Sequence, residues 1–178
     1  MDQMVWHLFI ASRDHVPHVL STLIIGWTDL FRPALTTLYA LLITIYLGFR
    51  RSSWVLFPAL CLLTSAMICE VLKRVIDRPR PPSAYHLVSE TSASFPSGHA
   101  TAVCSLAMVA TLLCVRWRRL IVTLAWVNAL GIMLSRLYVG VHWCTDVIAG
   151  AVLGVVCTFA LWVLWQKLHS RFKIAKKT

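Results

Sequence analysis

The stretch "SFPSGHATAVCSLAMVATLLCV", residues 94–115, passes from a polar turn directly into an apolar run. Pro96 precedes Ser97, a residue type that often caps helices, and Gly98 leaves the first turn open to approach. We therefore predict that a helix begins here and enters a membrane. His99 would lie in its first turn, beside backbone N–H groups that can bind an anion. Taken alone, the segment is also compatible with an ordinary helix cap next to an interfacial histidine.

The whole chain is rich in apolar residues. Of its 178 residues, 58% are hydrophobic, compared with roughly 45–50% in soluble domains. Five apolar segments approach the roughly 20 residues that a helix needs to cross the hydrocarbon core. They span residues 33–49, 54–71, 99–115, 120–137 and 147–165. The sequence therefore predicts an all-α fold, a polytopic integral-membrane bundle of five transmembrane helices.

The formal net charge of +10 would by itself suggest a nucleic acid partner. The placement of the charges argues against this, because ten of the 17 lysines and arginines lie just beyond apolar segments. This is the positive-inside pattern of a membrane protein. We therefore predict a multi-pass protein of the cytoplasmic membrane that has no nucleic acid partner. The ends of the spans that lack these basic clusters would lie on the outer face of the membrane. The ten cations are Arg50, Arg51, Arg116, Arg118, Arg119, Lys167, Arg171, Lys173, Lys176 and Lys177.

Residues 1–32 form a separate N-terminal region in this interpretation. Apolar residues recur at helical spacing over residues 16–31, and polar residues occupy the other side. We predict an amphipathic helix that lies in the outer interface, with a short sixth span as the alternative. Residues 33–168 would then form the membrane domain, and residues 169–178 a basic cytoplasmic tail.

This topology brings polar segments from three distant parts of the sequence to the outer ends of the spans. They contribute three cations, Lys73, Arg80 and Arg136, with Arg78 as a candidate fourth. Cations at one locus repel each other unless an anion lies between them. A phosphate fits, because Arg binds its oxygens bidentately and Lys adds a point charge. The alternative for each isolated cation is contact with lipid headgroups.

A histidine and an aspartate lie four residues apart in the third polar segment. At helical spacing, His142 and Asp146 face each other. A carboxylate next to one imidazole nitrogen sets the tautomer and leaves the other nitrogen available as a nucleophile. The alternative is a loop histidine that precedes an aspartate serving only as a helix cap. A second acid, Glu70, lies one turn before Lys73; we interpret it as a brace for Lys73 or Arg74 rather than a proton carrier.

Together, three motifs resemble the signature of the type 2 phosphatidic acid phosphatase superfamily. They are K-x6-RP from Lys73, PSGH from Pro96 and SR-x5-H-x3-D from Ser135. That superfamily comprises integral-membrane lipid phosphatases and soluble vanadium haloperoxidases. The resemblance covers about residues 33 to 165, with the spans placed as in the membrane branch. The larger soluble scaffold of a haloperoxidase is not evident in this sequence.

The resemblance implies a role for each motif residue. His142 would attack phosphorus to form a phosphohistidine, Asp146 would orient it, and His99 would protonate the leaving oxygen and later activate water. The resemblance to the membrane phosphatases implies that no cofactor or metal ion is needed, and no carboxylate cluster lies near these motifs that could hold magnesium. The phosphoryl oxygens would be held by Lys73, Arg80, Arg136, Ser97 and Gly98.

The expected function is that of a bacterial integral-membrane phosphatase or pyrophosphatase that acts on a lipid. Phosphatidylglycerophosphate, undecaprenyl diphosphate, phosphatidic acid and lipid A 1-phosphate are the candidate substrates. The expected partners are therefore a membrane lipid phosphate and the bilayer itself. Alternatives are a phosphotransferase that passes the phosphoryl group to a second lipid, and a non-catalytic lipid-binding membrane protein.

Overall fold

The described chain, residues 1–175 with side chains as far as Leu168, forms seven α-helices in this computed structural model. The all-α prediction is confirmed, and the five predicted apolar segments coincide with the last five helices. The predicted basic tail, residues 169–178, lies outside the described side chains. Short 3₁₀ turns lie at Arg13–His15 and Ser83–Tyr85. The helices are α1 (Asp2–Ser12), α2 (His18–Leu30), α3 (Pro33–Phe49), α4 (Phe57–Ile76), α5 (Gly98–Leu113), α6 (Arg118–Tyr138) and α7 (Cys144–Ala175).

Several of these helices are apolar enough to cross a membrane. By length and composition alone, α6 and the part of α7 up to Leu168 qualify, and α2 with α3 qualifies as a pair bent by 51°. The helix α5 is apolar but has 16 residues, and α4 carries Glu70, Lys73 and Arg74 near its end. Both helices therefore depart from a simple span at the end where the polar motifs lie.

The N-terminal region differs from the single amphipathic helix that we predicted. It contains two helices, because Pro17 and the 3₁₀ turn before it interrupt the chain between α1 and α2. Ile24 and Ile25 of α2 pack against the cluster around Val139, whereas the apolar side chain of Leu23 is exposed. α1 also packs on the bundle through Trp6, which is 4% exposed. The placement of α2 in the membrane interface stays a prediction.

The helix α5 lies at the centre of the bundle and packs against α3, α4, α6 and α7. Small residues make this central position favourable, since Ala100, Ala102 and Ala107 are almost fully buried. Larger residues such as Val103 fill the space toward α6, where Ile132 is 0% exposed. The N-terminus of α5, which carries the PSGH motif, is therefore held among the ends of its neighbours.

Two glycines of α7 allow its backbone to approach α5 closely. A Cβ atom at Gly154 would lie 2.3 Å from the Thr101 carbonyl oxygen, and one at Gly150 would lie 2.5 Å from that of Ser97. Small residues spaced four apart are typical of tightly packed membrane helices. A hydrogen bond of 2.8 Å between the hydroxyls of Ser105 and Thr158 joins the same helices further along. The Gly150–Gly154 face thus sets the distance between the two helices that carry the second and third motifs.

We expect Gly154→Ala to lower the thermal unfolding midpoint and the activity of the purified protein. The added methyl group has no room against the α5 backbone, and overpacking of this kind costs about 1–3 kcal/mol. Gly26→Ala is the matched control, because a Cβ atom there meets nothing within 4 Å. In an open helical position the same exchange stabilises by roughly 0.5–1 kcal/mol. An unchanged midpoint in Gly154→Ala would contradict the close approach.

Candidate functional site

The structure brings all eight predicted site residues to one end of the bundle. Lys73 lies in the last turns of α4, and Arg136 lies in the last turn of α6. The connection after α4 supplies Arg80, and the short loop before α7 supplies His142. A backbone hydrogen bond of 3.0 Å from the Ser97 N–H to the Asp146 carbonyl joins the start of α5 to that of α7. The remaining residues, Gly98 and His99, form the first turn of α5.

The imidazole of His142 lies between a carboxylate and a guanidinium. Its Nδ1 atom is 3.6 Å from Asp146 Oδ2, and its Nε2 atom is 3.4 Å from Arg80 Nη1. The two nitrogens therefore face opposite charges. The separation from Asp146 is longer than an ordinary hydrogen bond, so Asp146 acts on the ring mainly through its charge. Both side chains are almost completely buried.

The Asp146 carboxylate is held by neighbours that the sequence analysis did not identify. Ser94 Oγ donates a hydrogen bond of 2.5 Å to Oδ2, and the Trp143 N–H donates one of 2.9 Å to the same oxygen. Ser94 also lies 3.5 Å from His142 Nδ1. Ser94 lies two residues before Pro96, but nothing in the sequence distinguishes it from the neighbouring serines.

The predicted phosphate-binding cations are buried and share one loop segment. Arg80 donates hydrogen bonds to the carbonyls of Ser92, at 2.7 Å, and Val141, at 2.8 Å. Lys73 donates to the Ala93 carbonyl and lies 3.4 Å from Ser92 Oγ. The Ser92–Ala93 segment thus fixes two cations whose mutual repulsion would otherwise separate them.

An acid that the sequence analysis missed, Glu90, lies between two of these cations. Its Oε1 atom is 2.5 Å from Arg136 Nη2, and its Oε2 atom is 3.5 Å from Arg80 Nη2. The convergence of cations predicted an anion between them, and the chain itself supplies one. Because Arg136 is 1% exposed, it requires such a partner. The sequence signal that could have identified Glu90 is an acidic residue in the loop between the K-x6-RP and PSGH motifs.

Arg78, the candidate fourth cation, does not join the predicted phosphate-binding cations. Its Nη1 atom is 2.6 Å from Asp146 Oδ1, and its Nη2 atom is 2.7 Å from Asp2 Oδ2. Arg78 therefore neutralises carboxylates on the far side of His142. Glu70, in contrast, forms an ion pair with Arg74, with 3.0 Å between Glu70 Oε1 and Arg74 Nε. This is one of the two pairings that we predicted for Glu70.

Several buried polar atoms in this region have no hydrogen-bond partner among the described residues. They are Ser97 Oγ, His99 Nε2 and Arg136 Nε. Ser97 is the N-cap residue of α5, as predicted, and has an extended backbone, but its hydroxyl makes no capping hydrogen bond. Leaving such a group unpaired costs about 1–3 kcal/mol. Their concentration in one place indicates that they are available to a bound group.

The environment of His142 keeps its imidazole neutral. Burial is the main reason that the pKa of His142 falls to about 4, and the charges of Arg80 and Arg136 act in the same direction. The Asp146 carboxylate opposes this shift only partly. Burial also lowers the pKa of Arg80, although the charge of Glu90 opposes it. At neutral pH the histidine therefore has a free electron pair next to a cation.

A cavity of about 360 Å³ extends from this site between α3, α4 and α5. Its inner end is lined by Lys73, Ser92 and Gly98, and its walls by apolar residues such as Leu62 and Ala102. A pocket of this kind suits a ligand with a charged group at one end and an apolar chain at the other.

Comparison with known proteins agrees with this arrangement. Residues 54–170 match the PAP2 superfamily. The chain belongs to that superfamily. This confirms the resemblance that the three motifs indicated, because the matched segment contains all of them.

Individual members show how far the similarity extends. Phosphatidylglycerophosphatase B of Bacillus subtilis is 37% identical over 119 residues, which cover 62% of this chain and 58% of that protein. The lipid A 1-phosphatase of Rhizobium etli is 31% identical over 124 residues, which cover 62% of this chain and 50% of the relative. The matched region thus spans between 50% and 58% of the length of these two relatives.

A solved structure extends the comparison to nearly the whole fold. The crystal structure of a transmembrane PAP2-type phosphatidylglycerolphosphate phosphatase from Bacillus subtilis superposes with a TM-score of 0.83 at 27% identity. The superposition covers 93% of this chain and 85% of that one. Similarity at this level supports the same overall fold.

Glu90→Gln should increase the affinity for inorganic vanadate, a phosphate analogue, by about tenfold or more, because hydrogen bonds to charged groups contribute about 1.5–3 kcal/mol. Arg80 and Arg136 would keep their charges but lose the internal carboxylate that competes with the added anion. Asp14→Asn is the control, since it removes one negative charge from an exposed position. Calorimetric titration of both variants measures the effect. Equal affinities in the two variants would show that Glu90 does not compete for the cations.

Proposed function

We propose that the chain is an integral-membrane phosphatase or pyrophosphatase that removes phosphate from a membrane lipid. The observation that supports this best is the placement of His142, with one nitrogen toward Asp146 and the other toward Arg80. A nucleophile needs a free electron pair next to groups that bind the electrophile. A non-catalytic lipid-binding protein, the alternative function, would not need a histidine between a carboxylate and a guanidinium.

The first proposed step transfers the phosphoryl group to the enzyme. The Nε2 electron pair of His142 forms a bond to phosphorus while the bond from phosphorus to the lipid oxygen breaks. His99, as the acid, donates its proton to that oxygen, so that no bare alkoxide or phosphate anion has to leave. Asp146 stabilises the positive charge that develops on the His142 ring.

The second proposed step regenerates the enzyme. His99 now takes a proton from water, the water oxygen bonds to phosphorus, and the phosphorus–nitrogen bond breaks to release inorganic phosphate. In both steps Lys73, Arg80 and Arg136 stabilise the negative charge on the equatorial oxygens. A phosphoryl group bound there would compete with Glu90 for the two guanidinium groups. Because these three cations neutralise the phosphoryl charge, we propose a mechanism without metal ion or cofactor.

A lipid phosphate is the substrate class that the cavity supports. Its apolar walls between α3, α4 and α5 fit an acyl or prenyl chain, and its polar end leads to Lys73 and Gly98. The relatives carry names for phosphatidylglycerophosphate, undecaprenyl diphosphate and lipid A 1-phosphate activities. These lipids, together with phosphatidic acid, are the candidate substrates.

The decisive experiment measures phosphate release by the purified protein from a panel of these four lipids. We expect release from at least one lipid, and loss of release by at least about a thousandfold in His142→Ala, because removal of a nucleophile leaves only residual catalysis. His18→Ala is the control, since His18 is exposed on α2. Addition of a second lipid distinguishes hydrolysis from transfer, which would leave the phosphate on the acceptor. Near-normal release by His142→Ala would refute the assignment of the nucleophile.

We further propose that residues 33–168 form the phosphatase domain of a bacterial cytoplasmic membrane protein, with residues 1–32 packed on its outer face. The basic ends of the predicted spans support an outer position for the site under the positive-inside rule. The exposed Ser89 lies in the loop on the site's side of the bundle.

A membrane-impermeant thiol reagent should therefore label Ser89→Cys in intact spheroplasts. The parent protein, which already contains six cysteines, measures the background. Labelling of the variant only after lysis would reverse the proposed orientation.

A further inference from the structure

The first turn of α1 is joined to the candidate site through both oxygens of one carboxylate. Asp2 Oδ1 accepts a hydrogen bond of 3.0 Å from the Thr145 N–H, and Oδ2 accepts one of 2.6 Å from the Thr145 hydroxyl. Oδ2 also accepts one of 2.7 Å from Arg78 Nη2. Asp2 therefore caps the first turn of α7 and pairs with Arg78 at the same time.

Arg78 passes this contact on to the proposed partner of the nucleophile. Its other terminal nitrogen, Nη1, is 2.6 Å from Asp146 Oδ1 and 2.7 Å from the Thr145 hydroxyl. The opposite oxygen of Asp146 is the one that faces His142. The rotation of the Asp146 carboxylate is thus set on one side by Arg78 and on the other by Ser94 and Trp143.

Charge balance gives Asp2 a second effect. If Arg78 were paired with Asp146 alone, its positive charge would weaken the effect of the Asp146 carboxylate on the His142 ring. The negative charge of Asp2 offsets part of the Arg78 charge. Burial acts to lower the pKa of Arg78, but Asp2 and Asp146 together raise it above its usual value. Burial likewise acts to raise the pKa of Asp2, but Thr145 and Arg78 bring it below its usual value. The contact is therefore between fully charged groups.

We infer that Asp2 is a positioning residue for the proposed phosphoryl transfer, acting through Arg78 on the Asp146–His142 pair. This inference rests on the proposed function and deepens it. It assigns the N-terminal helix a part in the chemistry, although Asp2 touches none of the groups proposed to contact phosphate in the contacts described above.

The docking of α1 does not depend on Asp2 alone, which makes the inference testable. Trp6 Nε1 donates to the Gly140 carbonyl at 3.4 Å and packs edge-on against Tyr85. Arg13, just beyond α1, donates to the carbonyls of Tyr85 at 2.7 Å and Tyr138 at 2.8 Å. A change confined to the Asp2 carboxylate should therefore leave α1 in place.

The experiment compares Asp2→Asn, Arg78→Gln and the double variant in the full-length protein, with Asp14→Asn as the matched control. We expect Asp2→Asn to lower kcat by about tenfold with KM within about twofold, since remote positioning acts on the transition state. The double variant should be no slower than Arg78→Gln, because residues that act through one contact are not additive. Asp14→Asn should retain the parent kcat, and Asp2→Glu should recover part of the loss.

A second measurement keeps the inference independent of turnover. Histidine-selective ¹⁵N NMR, with the His142 signal assigned by its absence in His142→Asn, follows protonation of this ring. Asp2→Asn should lower its pKa further, because Arg78 then carries an uncompensated charge, whereas Asp14→Asn should not change it. If the parent protein were inactive, the proposed function would be refuted, but the pKa of His142 could still be compared between the variants. A parent-like kcat in Asp2→Asn, additive losses in the double variant, or an unchanged His142 titration would each overturn the positioning role.

Discussion

The close approach of α5 and α7 is the constraint on which the candidate site depends. Gly150 and Gly154 allow the two backbones to meet, and the Ser97 N–H can then donate to the Asp146 carbonyl at 3.0 Å. This contact joins the PSGH motif to the motif that contains His142. A larger separation would move the two histidines apart without changing any residue of the motifs. The packing of α5 against α7 therefore determines the geometry of the candidate site, because small residues determine how near two helices can come.

Electrostatic balance is the second organising feature. Lys73, Arg80 and Arg136 are all largely buried, and burial of unpaired charge is strongly unfavourable. Loop carbonyls satisfy part of this demand, and Glu90 supplies a carboxylate between the two arginines. The same cations would stabilise a phosphoryl group, so the folded protein and its proposed substrate use one set of charges. Arg78 lies outside this set and balances Asp146 and Asp2 instead.

The N-terminal region links these two features. α1 and α2 cover the α6 end and the loop before α7 through Trp6, Arg13 and Ile24. Asp2 then completes the first turn of α7, the turn that carries Asp146. The region in which the sequence predicts an interfacial helix is thus in direct contact with the candidate site. The cavity between α3, α4 and α5 is lined by Lys73 and Gly98 of the candidate site together with apolar residues.

The sequence by itself determined the helical segments, the superfamily and the chemical types at the site. Apolar runs and the K-x6-RP, PSGH and SR-x5-H-x3-D motifs lie within short windows, where local spacing already implies geometry. Only the tertiary structure decided that Glu90 bridges Arg80 and Arg136 and that Arg78 turns toward Asp146. Asp2 and Thr145 are 143 residues apart, and no local pattern pairs them. Such contacts depend on how loops and helix ends converge in space, which follows from the packing of the whole bundle rather than from any one segment.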